Sequence, residues 1–199
     1  MKRLYITMLV IFATSVSFSH DTGKKNVTSV EVKIDASLAK DGELSHHYQI
    51  LSWENFEGEP DTISPWGALT HSGIRLKYEY RKNRDTMTAV VRLLPFMDKH
   101  RSWCKDFARN DYTLAHEQRH FDIAAVVTNE LAEEIRHTNF RLLDFASTIM
   151  KLHGKYIAKL EKMQEDYDLA TAHGDNIVEQ LAWNKRIAEQ LNEQRLAFW

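Results

Sequence analysis

Between Asp111 and His137 the chain sets His116, His120, Ala124, Val127, Leu131 and Ile135 at spacings of three and four. Residues so spaced share one face of an α-helix, so this stretch can bury itself only as a long helix lying along a core. Asn110 or Asp111 stands where an N-cap belongs, with a short polar side chain for the first free N–H groups. Upstream the period changes from about 3.6 to two. Thr28–Asp35 alternates apolar and polar residues, as do Ile74–Tyr80 and Met87–Leu94, separated by the polar run Arg81–Asp85. These read as an early strand and a β-hairpin, although the turn lacks an Asn-Gly or Asp-Gly pair. Downstream the pattern stays helical. A second helix is expected from near Asp144 or Ser147 to about Ala170, with Gly154 a place where it could kink. After the break at Gly174-Asp175, a third helix capped by Asp175 would carry Ile177, Leu181, Ile187 and Leu191.

The start of the chain has a different character. Met1-Lys-Arg precedes an apolar run from Leu4 to Phe18 that ends in Ser17-Phe18-Ser19. Charged, apolar and small-x-small regions in that order predict a signal peptide over 1–19, followed by a flexible leader over 20–27. The run is short for a membrane span and is interrupted by Thr14, Ser15 and Ser17, which argues against an uncleaved anchor. The expected location is therefore exported, periplasmic or secreted, with no stable membrane span after cleavage. A net charge of −2 and the lack of a basic run interleaved with aromatics argue against a nucleic-acid partner. Cys104 is the only cysteine, so no intramolecular disulfide can form, and a buried thiol is expected.

The helix that opens at Asp111 carries chemistry in His116-Glu117-Gln118-Arg119-His120. Two histidines four apart can offer both imidazoles to one ion, with Glu117 set beside them to take a proton from a bound water. A lone histidine on an apolar stripe is more often a core residue. Three ionisable groups beside a core cost several kcal/mol unless something compensates, and Zn²⁺ would do so. A third ligand is then required. Ile123 and Val126 occupy the positions where one extended form of the motif places glycine and histidine. Glu130 and Glu134 lie two to three turns too far along the helix, at about 1.5 Å rise per residue. A second helix returning antiparallel from near Ser147 would bring residues around Asp166 level with the ion. The turn beyond contains His173, and His153 is a competing candidate two turns short.

Three segments together resemble the domain-of-unknown-function 922 family of exported bacterial proteins, described as secreted zinc-dependent proteases. They are Leu51-Ser-Trp-Glu-Asn-Phe-Glu-Gly-Glu-Pro60, then Ser102-Trp103 before Leu114-Ala-His-Glu-Gln-Arg-His-Phe-Asp-Ile123, and Tyr167-Asp-Leu-Ala-Thr-Ala-His-Gly174. The resemblance covers roughly Ile50 to His137 and Tyr167 to Trp183, and departs at Arg119, where the family commonly has glycine. It implies a zinc peptidase acting on a peptide or protein, and it favours His173 as the third ligand.

The expected fold is α+β: a small N-terminal antiparallel β-sheet, then a zincin-like active-site helix and two further C-terminal helices. They form one domain over 28–199, β-rich over 28–105 and helical over 110–199. The expected site has His116, His120 and His173 on Zn²⁺ and Glu117 as general base. Asp168 could orient His173, and Tyr167 could donate to an oxyanion. Asp122 faces away from the histidines and reads as structural, and Trp53 and Trp103 read as core. The rival reading is a non-catalytic exported helical binding or scaffold protein with a structural or degenerate metal site.

Overall fold

The computed structural model of the chain describes residues 29–46, 49–84 and 86–197. The predicted signal peptide and leader lie outside them. Six strands precede three helices: β1 (Ser29–Ile34), β2 (Glu43–Ser45), β3 (Ala68–Leu69), β4 (Ser72–Asn83), β5 (Thr86–Asp98), β6 (Trp103–Cys104), α1 (Asp111–His137), α2 (Phe145–Thr171) and α3 (Ile177–Ala197). The α+β expectation and its order of elements hold.

β5 organises the main sheet. β4 pairs antiparallel along its whole length, from Ser72 opposite Met97 to Asn83 opposite Thr86, which is the expected hairpin. On its other edge β5 receives two strands in succession. β1 runs parallel to it, Ser29 opposite Thr88 through Ile34 opposite Leu93, and β2 runs antiparallel over Phe96–Asp98. The sheet is therefore mixed, where a wholly antiparallel one was expected. Pro95 sits at the handover between β1 and β2. Its carbonyl accepts from His46 N–H on that side (3.1 Å), so the N–H that proline lacks would also have pointed into this gap.

One face of the hairpin supplies Ile74, Met87, Ala89, Val91 and Leu93 to the core. α1 lies across that face with Ala124, Val127, Leu131 and Ile135 of the expected stripe buried, joined by Ile123. Its cap is Asn110, whose side chain accepts from Thr113 N–H (2.9 Å). α2 returns antiparallel, with Lys155 on Glu134 and Lys159 on Glu130 (2.7 Å) tying the two helices along one flank. α2 is one helix through Gly154.

α3 differs in detail from expectation. Asn176, one residue after Asp175, accepts from Glu179 N–H at its side chain (3.3 Å). Its buried stripe is Gln180, Trp183, Ile187 and Leu191, while Ile177 and Leu181 are exposed. A second, smaller apolar cluster of Leu51, Phe56, Met97, Cys104, Ala108 and Phe121 anchors the N-terminal loops against α1. Trp103 is buried and Trp53 packs on this cluster. The Cys104 thiol is buried as expected, and burial pushes its pKa up to about 11. Among the described residues no helix is long and apolar enough to cross a membrane.

Candidate metal centre

The first turns of α1 hold His116, Glu117 and His120, all buried. Because α2 runs antiparallel beside them, its last turn brings Asp168 level with the pair. Asp168 Oδ1 lies 3.2 Å from His116 Nε2 and 3.1 Å from His120 Nε2. The potential ligand atoms of these three residues lie within 4.8 Å of one another.

The rest of the fold fixes their positions. Tyr167 stacks on the His116 ring (centroids 4.7 Å apart, planes at 18°) and meets His120 edge-on at 5.1 Å. Its hydroxyl donates to the His116 carbonyl (3.2 Å) and accepts from Gln180 Nε2 (2.6 Å). Gln180 Oε1 lies 2.9 Å from His116 Nδ1. From the sheet side, Thr70 Oγ1 donates to the Glu117 carbonyl (3.3 Å) and Ser72 Oγ to the His120 carbonyl (3.1 Å). The chain between β3 and β4 is thereby held over the motif.

A cleft of about 450 Å³ opens on this floor. Its lining includes Ala68, Leu69 and Thr70, with Trp66, Phe107 and Tyr112 around them. Glu117 lines it too, yet its Oε2 is buried and has no hydrogen-bond partner among the described residues. Burial works against charge on His120, but the neighbouring Asp168 and Glu117 outweigh it and raise the pKa above its ordinary 6.5. Burial likewise works against the Asp168 carboxylate. Hydrogen bonds to His116 and His120 prevail and hold its pKa well below the usual 3.8. Burial drives the Tyr167 phenol upward, so it stays protonated.

These three side chains form a group that could hold a metal ion. Two ligands each about 2.0–2.2 Å from a tetrahedral Zn²⁺ stand roughly 3.3–3.6 Å apart. The nitrogen-to-oxygen separations of 3.1 and 3.2 Å are close to that, so modest adjustment would admit an ion.

The predicted residues divide. His116, Glu117 and His120 come together on the floor. Asp168 does not serve His173 there but faces the histidine pair directly. His173 follows α2 in a left-handed turn (φ +54°), its ring stacked on Trp66 at 3.5 Å and its Nδ1 3.7 Å from Asp168 Oδ1. It lines the cleft but stands outside the three-residue set. His153 is elsewhere, its Nε2 3.1 Å from the Ile74 carbonyl. Tyr167 lies behind His116 with its hydroxyl engaged there, so it is not aimed at an oxyanion in the cleft. Asp122 is structural as expected, accepting from Gln118 Nε2 (2.8 Å), paired with Arg119, and 2.8 Å from His46 Nε2. Gln180 carried no expectation. A polar residue in register with Trp183, Ile187 and Leu191 was the signal that could have found it.

No family model, curated protein or solved structure matches this chain, so the site's own chemistry has to carry the functional reading.

Proposed function

We propose that this chain is an exported zinc-dependent metallohydrolase, a peptidase in class, with His116, His120 and Asp168 holding the ion and Glu117 as general base. The observation that carries the reading is Glu117. A buried carboxyl oxygen without a partner costs several kcal/mol, and here it belongs to a residue that lines the cleft together with His116, His120 and Asp168. That cost is explained if its partner arrives with the reaction.

Bound zinc would supply a Lewis acid and bring the pKa of a coordinated water to about 7. With an ion bound, Glu117 would take a proton from that water and pass it to the leaving amine. Tyr167 and Gln180 hold the His116 imidazole in place, and Thr70 and Ser72 fix the two turns of α1 that carry the histidines.

A peptide substrate suits the cleft wall. Gly67 accepts from Lys105 N–H (2.8 Å) and Leu69 is opposite Trp103. The alternation of an antiparallel ladder then turns the backbone groups of Ala68 and Thr70 away from β6, where an extended chain can bond to them. Trp66, Phe107 and Tyr112 are exposed around this edge and favour apolar side chains. The resemblance to the domain-of-unknown-function 922 family and the signal-like residues 1–19 support peptidase chemistry outside the cytoplasm.

The test is metal analysis of the purified protein joined to cleavage of a mixed peptide library. Stoichiometric zinc and cleavage lost in Glu117→Ala with zinc retained are expected. Protein that holds no zinc sinks the proposal. Zinc-loaded protein that cleaves nothing favours the binding or scaffold reading.

A further inference from the structure

Helix α3 reaches the histidine pair through one residue outside the motif. Gln180 is 2 % exposed and stands in line with Trp183, Ile187 and Leu191, so its amide must find its partners within the protein. Those partners fix which way the amide faces. Nε2 donates to Asn184 Oδ1 (2.9 Å) and to the Tyr167 hydroxyl (2.6 Å). The hydroxyl spends its own hydrogen on the His116 carbonyl (3.2 Å), so toward Gln180 it can only accept. Both amide hydrogens are therefore committed, and Oε1 is the atom that faces His116 Nδ1 at 2.9 Å.

An amide oxygen accepts and never donates, so His116 Nδ1 must carry a hydrogen. In the neutral ring the lone pair then lies on Nε2, the nitrogen 3.2 Å from Asp168 Oδ1. The ring cannot turn away without leaving both Gln180 and the Tyr167 face on which it stacks. We infer that Gln180 is the positioning residue of the centre: it locks His116 in the Nδ1–H tautomer and aims the Nε2 lone pair at the cation. Aiming Nε2 at a cation rests on the proposed metal reading, because without an ion the Asp168 carboxylate 3.2 Å away competes for a hydrogen there, whereas the Nδ1–H contact to Gln180 belongs to the protein itself.

The test uses ¹⁵N-labelled full-length protein, first stripped of metal and then titrated with zinc. In the zinc-loaded wild type the imidazole ¹⁵N shifts should report Nδ1 protonated and Nε2 bound to the metal, and in the stripped protein Nδ1 should still carry its hydrogen. Gln180→Met, which keeps the shape without an acceptor, should give a mixture of tautomers and bind zinc 10- to 100-fold more weakly. Gln180→Glu keeps an acceptor oxygen toward Nδ1 but loses both hydrogens to Asn184 and Tyr167, so Nδ1 protonation kept in Gln180→Glu and lost in Gln180→Met separates positioning from a general loss of packing. Gln180→Met with wild-type ¹⁵N shifts and wild-type zinc affinity would overturn the inference. If the wild type binds no zinc yet Gln180→Met still frees Nδ1 of its hydrogen, the Gln180 contact is supported and the metal reading fails.

Discussion

Replacing Asp168 by asparagine and, separately, His173 by alanine decides which residue completes the proposed metal shell. Asp168→Asn keeps the shape of the side chain and removes its charge from a point 3.1 and 3.2 Å from the two Nε2 atoms. Residues that touch a metal only through one of its ligands change affinity 10- to 100-fold when lost. Asp168 is placed to touch the ion itself, so about 100-fold is the lower bound for Asp168→Asn, or about 2.8 kcal/mol at 1.4 kcal/mol per tenfold. His173→Ala removes a ring that stacks on Trp66, with its nearer nitrogen 3.7 Å from Asp168. Its effect should stay under about tenfold, the low end for an outer partner. Competition against a chromophoric chelator measures both affinities, and circular dichroism of the metal-free variants checks that each is folded. If His173→Ala loses zinc while Asp168→Asn keeps wild-type affinity, the ligand assignment is wrong and the turn after α2 must close over the ion.

The two pKa shifts at the site predict opposite pH trends with and without metal. His120 is raised in the fold, so its contribution is full below its ordinary 6.5 and is lost as pH climbs through the higher folded value. Asp168 is lowered, so its contribution is present above 3.8 and is lost as pH falls. Chelator-treated protein should therefore lose this increment of stability on the alkaline side. The zinc-induced gain in Tm should grow over that same range, because zinc needs the imidazoles neutral; a gain that shrinks from pH 6 to 8 in thermal scans contradicts this. At the end of α2, Ala172 is exposed with φ +49°, a conformation that costs a residue with a Cβ about 1 kcal/mol. Ala172→Gly should raise Tm by roughly 2–4 °C for a chain of this size, and a lower Tm would contradict the reading of strain.

Much of the helical half was legible because its information is local. The α1 stripe, its Asn110 cap and the His116-to-His120 spacing are all read within a few turns of one helix. The return of α2 was legible too, since an antiparallel partner can be counted residue by residue, and the count from near Ser147 landed within one turn of Asp168. The choice between Asp168 and His173 was not legible. It turns on α2 staying helical to Thr171, which leaves Asp168 on the inner face, and on the left-handed backbone that then swings His173 onto Trp66. The parallel pairing of β1 escaped for another reason: alternation announces a strand but says nothing of its partner or direction. On α3, Ile177 and Leu181 lie outside the buried stripe, which begins instead with a glutamine. That face is polar where it meets His116 and Tyr167 and apolar beyond.

The parallel seat of β1 on β5 also sets an order of assembly. A chain emerging from its N-terminus presents Ser29–Ile34 long before Thr88–Leu93 exists to receive it. The β4–β5 hairpin needs only a tight local turn and can close first, whereas β1 must cross a long loop to its place. Until then the β5 edge that β1 covers is open to any extended segment, including the same strand of another molecule. A holding factor that shields Val30, Val32 and Ile34 during synthesis would therefore raise the yield of folded protein without touching the histidines.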